Sequence, residues 1–439
     1  MTHATASELA IRGGPKAVTA DPGDIFAWPI VTDEDEQAVL DVLRRGAMSG
    51  LDVTLEFEKR YAAWHGVRRA LGFCNGTAAL LGAMWACGVG VGDEIICPSV
   101  TYWASALPAL SLGATVNFAD IDPDTLCIDP ADIEHRIGER TKAIVVVHLY
   151  GHPCDMDPIL ETARKHKVKV IEDASHAHGA LYKGRMVGTI GDVGCFSLMA
   201  GKAFATGEAG ILITNDRAIW ERAVAFGFYE RTGASRYAKG DEAAITDPQL
   251  VRFAGLPMGG FKHRMNQTCS AMGLVQLKHY PRRMAEIQKA MNYFWDELAG
   301  VPGIRPHRVA AGSGSTMGGW YVPVGLYDAA ALGGLPIGRF VEAVVAEGAR
   351  CGGLPNKPLH VHPLFHEADI YGHGKPTVLA HAARDVRQGP GTLPVCEAAP
   401  ERVFSVPWFK HCRPEVIDQH VAAYRKVAEQ AGELLKEEA

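Results

Sequence analysis

The sequence predicts an α/β fold in which a mostly parallel sheet lies between helices, followed by a smaller α+β C-terminal domain. Two observations predict it. From residue 70 to residue 214 short apolar runs alternate with helical stretches, and strands separated by helices build parallel sheets covered on both faces. Beyond residue 276 the pattern changes to one long helix, glycine-rich loops and a few isolated strands.

The chain opens on a polar start. Residues 9–18 (LAIRGGPKAV) then read as a short extended arm broken by Gly13 and Gly14. Thr32 is placed to cap a helix over 33–45, with Val39, Leu40 and Leu43 on one face, and 56–65 repeats the pattern with Phe57, Tyr61 and Trp64. The predicted strands of the sheet are 70–74, 94–97, 115–119, 143–148, 169–172, 193–197 and 210–214, which makes it seven-stranded. Helices are predicted at 76–88, 101–112 and 158–166.

Between 229 and 263 the composition turns polar and glycine-rich (RTGASRYAKGDEAAITD), which reads as a long functional loop or an inserted excursion. A helix over 267–298 stops at Gly300 and Pro302, and its length suits a connector. The remainder holds candidate strands at 320–324 and 403–406 and a charged helix from Pro414 to about 437. The expected division is an N-terminal arm (1–30), a large domain (31–275), and an interdomain helix with a small C-terminal domain (276–439).

Composition narrows the function classes. At 439 residues with 47% hydrophobic and 21% charged residues, the chain buries a large core without staples. A net charge of −6 offers no basic field for nucleic acid. No apolar stretch approaches the roughly 18 residues of a membrane span. Ten cysteines without a CxxC pair suit a reducing compartment, so a cytoplasmic location is expected.

Three segments carry chemistry. In Cys74-Asn75-Gly76-Thr77, a strand end turns into a helix whose first amides, with the helix dipole behind them, favour a phosphate. In Ile171-Glu172-Asp173, an apolar strand ends in two acids at the carboxyl edge of the sheet, where ligands bind. Asp173 there suits a metal, a ribose hydroxyl or a protonated pyridine; His176 and His178, at i, i+2 spacing, assemble no closed metal set. In Phe196-Ser197-Leu198-Met199-Ala200-Gly201-Lys202, a lysine follows a hydroxyl by five positions in an uncharged, small-residue stretch, where desolvation makes an amine nucleophilic. Together Gly76, Thr77 and Ser197 for phosphate, Asp173 for a pyridinium nitrogen and Lys202 for an aldehyde meet the binding requirement of pyridoxal 5'-phosphate (PLP).

On these residues the chain resembles the DegT/DnrJ/StrS family of PLP-dependent sugar and cyclitol aminotransferases, over a stretch from the LAIRGGPKAV arm to about residue 277. The resemblance implies the aspartate aminotransferase architecture (fold type I), a mixed sheet and a homodimer with its active site at the subunit interface. It implies Lys202 as the Schiff-base lysine and Asp173 as the acid at the pyridine nitrogen, with Ser197 and Lys202 on the family's FSxxxxK pattern. Tyr102, in Pro98-Ser99-Val100-Thr101-Tyr102-Trp103-Ala104-Ser105, takes the ring-stacking position, and His178 falls on the histidine of EDxxxxHG.

Three positions depart from the common pattern. His176 stands where glutamine often contacts the cofactor's phenolic oxygen. Lys262 stands where many members place an asparagine that reaches the partner's phosphate, and Ala209 replaces a glycine in TGEGG. The implied reaction moves an amino group from glutamate or glutamine to a keto-sugar or keto-cyclitol by a ping-pong route, the double-glycine arm resembling the cyclitol-type members.

A sugar dehydrase of the same fold carries histidine in place of the lysine, and a non-catalytic binding or regulatory relative is expected to lack the lysine or the acid. An NAD-dependent oxidoreductase needs a GxGxxG that Asn75-Gly76-Thr77 does not supply. Histidines 360, 362, 366 and 373 read as a loop near the substrate or as solvated side chains, with no spacing that completes a metal site. Glu172 and Glu208 read as supports for loops.

Overall fold

The computed structural model describes residues 8–233 and 245–436. The central sheet is built from β1 (Arg69–Phe73), β2 (Glu94–Pro98), β3 (Thr115–Ala119), β4 (Thr141–Val147) and β5 (Lys169–Asp173). A two-residue hairpin, β6 (Leu181–Tyr182) and β7 (Arg185–Met186), precedes its last strands, β8 (Val193–Ser197) and β9 (Gly210–Thr214). The order across the sheet is β1-β9-β8-β5-β4-β2-β3. β2, β3, β4, β5 and β8 run parallel, whereas β9 pairs antiparallel with both β1 and β8. The sheet is therefore mixed and mostly parallel. Its strands are buried almost throughout because helices cover both faces, which is why they read as continuous apolar runs rather than alternating ones.

The second sheet has three antiparallel strands, β10 (Ile304–Pro306), β11 (Val324–Tyr327) and β12 (Val403–Ser405). It packs with the Ile337–Ala346 and Pro414–Glu429 helices around Phe294, Trp295, Phe340 and Tyr424. The Gln267–Glu297 helix runs between this core and the helices flanking the first sheet. Leu9 and Ile25 of the N-terminal segment belong to the second core, and Glu347 accepts the backbone amides of Ala10 and Ala17.

Four local expectations change. The 101–112 stretch is not one helix: Trp103–Ser105 is a 3-10 turn and Pro108–Ser111 a single α-turn, because Pro108 has no amide to continue a ladder begun upstream. The strand expected at 320–324 begins only at Val324, since Trp320 and Val322 hold left-handed backbone (φ 53° and 49°) that no strand adopts. Residues 10–12 form a 3-10 turn closed by Gly13 at φ 97°, so the arm is not simply extended. The C-terminal helix breaks at Gln430 into Pro414–Glu429 and Ala431–Leu435.

Of the polar excursion, residues 234–244 lie outside the described residues. The flanking parts form a 3-10 turn, Tyr229–Arg231, and a short helix, Pro248–Val251. Among the described residues no helix is long and apolar enough to cross a membrane, and no cluster of histidine, cysteine and acids is arranged for a metal ion.

Candidate active site

The carboxyl ends of β4, β5 and β8 open onto one cavity of about 370 Å³, reached also by the turn after β1 and the segment after β2. This is the edge at which open parallel sheets bind ligands. Gly76, Thr77, Tyr102, Asp173, His176, Ser197 and Lys202, all singled out in the sequence, line it. Residues up to 126 positions apart in sequence thus meet in one space.

At one end, Asn75 caps the Gly76–Ala86 helix by accepting the Ala78 amide at 2.8 Å. That leaves the Gly76 and Thr77 amides as free first-turn donors at the positive end of the helix, opposite Ser197. The approach is close enough to demand glycine: a Cβ on Gly76 would sit 2.7 Å from Ser197 Cβ. These donors suit a phosphate.

Asp173 ends β5 on the cavity floor and is 5% exposed. Its Oδ2 accepts the Ser105 hydroxyl at 2.7 Å and its Oδ1 the Ser175 amide at 3.1 Å. No cation forms an ion pair with it among the described residues. A buried carboxylate braced by neutral donors and lacking a cation is matched by a protonated ring nitrogen brought in by a ligand.

Lys202 lies in the loop after β8, 8% exposed, with its backbone carbonyl held by the Trp28 indole at 2.8 Å. Burial pushes its amine down to about 8, and the Asp173 charge pulls weakly the other way. About a tenth of it is therefore neutral, and nucleophilic, at pH 7, far more than for a solvated lysine near 10.5.

His176 is buried beneath the Tyr150 ring, whose centroid lies 5.9 Å away, and against Tyr321 at 4.7 Å. Burial, and after it the Lys202 charge, hold its imidazolium well below the ordinary range, so the ring is neutral. The Tyr150 amide approaches Nδ1 at 3.5 Å, which assigns the proton to Nε2. Tyr102 flanks the cavity and is 47% exposed.

Other candidates fall elsewhere. His178 packs between Phe196 and Phe204, outside the cavity lining, and burial keeps it neutral. Lys262 is exposed and takes no part in the lining. Glu172 faces away: it accepts His148 Nε2 and the amides of Gly188, Ile190 and Gly191, a structural role. Glu208 lines the cavity rim instead. Of the four loop histidines, His360 is not solvated; it is buried between Ser99 (2.7 Å) and Glu397 (3.0 Å) and pins the 355–360 segment to the end of β2.

Sequence reading missed Ser105, Tyr321 and Asn356. Ser105 was within reach, because it closes the same segment as Tyr102 and bonds Thr101 four residues before it. Tyr321 and Asn356 gave no local sign, since they arrive from the C-terminal part of the chain.

A model of the DegT/DnrJ/EryC1/StrS aminotransferase family matches residues 29–425. The chain belongs to that family. This aminotransferase is 32% identical to the L-glutamine:2-deoxy-scyllo-inosose aminotransferase of Streptoalloteichus tenebrarius, over 97% of the chain and 99% of that protein. It is 40% identical to the GDP-perosamine synthase of Caulobacter vibrioides, in a match covering 59% of the chain and 66% of that protein. Among solved structures, an aminotransferase from Psychrobacter cryohalolentis superposes with a TM-score of 0.76 at 28% identity, covering 92% of the chain and 99% of that protein. The family membership agrees with the fold, the mixed seven-stranded sheet and the amine-bearing cavity.

Proposed function

We propose that this aminotransferase binds PLP and moves an amino group from glutamine or glutamate to the ketone of a cyclitol or a sugar, with Lys202 as the amine that holds the cofactor covalently. The observation that carries the reading is the Lys202 amine, buried and lowered to about 8, in one cavity with the unpaired Asp173 carboxylate and the free amides of Gly76 and Thr77. The relatives named for inosose and perosamine chemistry support the class of acceptor.

When bound, PLP supplies an aldehyde and an electron-accepting ring. Gly76, Thr77 and Ser197 would hold its phosphate, and Tyr102 would cover its ring. Asp173 holds a proton on the ring nitrogen, with Ser105 and Ser175 fixing the carboxylate. His176 offers Nε2–H to the phenolic oxygen. Lys202 Nζ would hold the cofactor's aldehyde and, once released by the donor's amine, would take a proton from the donor's α-carbon and return one, as base and then acid. The same groups act in reverse order on the ketone, which makes the cycle ping-pong.

The active unit in this reading is a homodimer in the cytoplasm, with Lys262 reaching the partner's phosphate. Phe253, Leu256, Met258 and Phe261 near it are 42–75% exposed, which supports a covered surface there. Ten free cysteines support a reducing compartment. The division into an arm (1–30), a large domain (31–275) and a connecting helix with a small domain (276–439) belongs to the same reading; the apolar core around Phe294, Phe340 and Tyr424 supports the small domain, while Val324, Leu326 and Val403 pack into the core of the large sheet.

The test is direct. Purified protein reconstituted with PLP should absorb in the near-visible, and borohydride should fix the cofactor on the peptide holding Lys202. A panel of keto-inositols and nucleotide-linked keto-sugars, each with glutamine and with glutamate, then identifies the acceptor. Attachment at another lysine, or a protein that takes up no cofactor, would sink the reading.

A further inference from the structure

The Lys202 amine rests on an aromatic face. Its Nζ lies 4.2 Å from the centroid of the Tyr321 ring, and it has no ion pair or hydrogen bond among the described residues. Asp173 exerts only a longer-range pull. His176 and His178, the other titratable groups that sense this amine, are held neutral by burial and by its charge. The Tyr321 phenol is kept protonated by burial and by nearby Tyr102. The ring face is thus a stabilising contact for an ammonium that has no ion-pair or hydrogen-bond partner among the described residues.

The chain bears strain to put the ring there. Tyr321 sits between Trp320 (φ 53°) and Val322 (φ 49°), and the left-handed region is costly for a β-branched residue. Gly318 and Gly319 just before it are threaded against the catalytic loops. A Cβ on Gly318 would meet the His178 carbonyl oxygen at 2.4 Å, and one on Gly319 would meet both Ala203 Cβ and Tyr280 Oη at 2.5 Å. The segment is bolted in place by the Gly319 amide to His178 O (3.2 Å) and by the Trp408 indole to Gly319 O (3.0 Å). Trp408 also meets the Tyr321 ring edge-on at 5.8 Å. A strained, tightly fixed segment that delivers one ring to one amine is the mark of a functional constraint.

We propose that Tyr321 is a positioning residue for the reacting amine: its ring face holds the Lys202 ammonium by a cation–π contact whenever the lysine is not covalently engaged. The inference rests on the reading of Lys202 given above. The contact keeps a long, flexible side chain inside the cavity between the two half-reactions, when a free lysine would otherwise sample other rotamers. It acts through the π face, so the phenolic hydroxyl is dispensable for it.

The experiment uses the full-length protein freed of cofactor, with competitive acetylation by acetic anhydride across pH and mass spectrometry of the peptide containing Lys202. Tyr321→Phe keeps the face and is expected to match the parent. Tyr321→Leu keeps an apolar wall but removes the π cloud, and the Lys202 ionisation is expected about one pH unit lower. Equal ionisation in the parent and Tyr321→Leu overturns the proposal, as does a shift in Tyr321→Phe as large as that in Tyr321→Leu.

If Tyr321→Leu does not fold, pentafluorophenylalanine placed at position 321 keeps the shape and cancels the negative face. It must then give the same downward shift, and its absence overturns the role. Borohydride mapping of the parent with PLP reports separately on Lys202: an adduct elsewhere removes the underlying reading, whereas an adduct on Lys202 without the shift removes only the role of Tyr321.

Discussion

The Ser105 hydroxyl donates a 2.7 Å hydrogen bond to Asp173 Oδ2 and is itself 2.9 Å from the Thr101 hydroxyl. The carboxylate of β5 is thereby aimed by a residue from the loop after β2, and neither strand fixes it alone. Ser105→Ala removes one charge-assisted bond, worth about 1.5–3 kcal/mol. We expect kcat/KM to fall about 10- to 100-fold with PLP still attached to the protein. Asp173→Asn should cost more, because a neutral amide no longer holds the ring proton; steady-state kinetics beside the absorption spectrum separate the two effects.

Burial places the Lys202 amine at about 8, below its unfolded value near 10.5. Only the neutral amine acts as a base, so the rate of a single turnover should rise with pH and level off above about 8. The unfolded chain binds more protons than the folded one between those two values. Stability of the cofactor-free protein should therefore rise with pH across the window, and Lys202→Met should flatten the rise. Stopped-flow turnovers and denaturant titrations at several pH values measure both.

Glu172 takes four hydrogen bonds, from His148 and from the amides of Gly188, Ile190 and Gly191, with no exposure to solvent. Glu172→Ala leaves those donors unpaired in the interior and should destabilise by about 3–5 kcal/mol. What remains folded should still bind PLP at Lys202. A lowered thermal midpoint with intact cofactor uptake would match this; loss of uptake by a protein of parental stability would place Glu172 in the chemistry instead.

Lys410 is 3% exposed, and burial, with the Arg350 charge adding to it, pushes its amine down to about 6. Its one acceptor among the described residues is the Trp408 carbonyl at 3.0 Å, and its Nζ lies 3.2 Å from the centroid of the Trp408 ring. Lys410→Met should stabilise the protein by about 1–3 kcal/mol, since an apolar side chain of similar length needs no deprotonation on burial. The folded value lies below the unfolded one, so the penalty is full below about pH 6 and fades as pH approaches 10.5. The gain in thermal midpoint should shrink accordingly between pH 6 and pH 10, and a constant or growing gain would contradict the assignment.

The legible parts of this protein were those whose chemistry is local. Asp173, Ser197 and Lys202 stand at strand ends and in a tight loop, where an acid, a hydroxyl and an amine in apolar or small-residue surroundings have few other uses. The misread parts were conformational. Nothing in the propensities of Trp320 or Val322 announces left-handed backbone, and the 101–112 stretch reads as helical until Pro108 is required to donate an amide it does not have. The buried role of His360 was equally hidden, because Ser99 and Glu397 stand 261 and 37 residues away from it.

By itself the sequence determined the alternation of strands and helices, the mixed sheet through its family likeness, and the hydroxyl, acid and amine positions along one carboxyl edge. Those follow from hydrophobic period and from residue type, which act over a few residues. Only the tertiary structure decided that Tyr321 lies against Lys202, that Ser105 aims Asp173, and that Glu172 turns away from the cavity. Those are distances between segments far apart in the chain, set by how the strands and loops pack in three dimensions, and no local pattern encodes them.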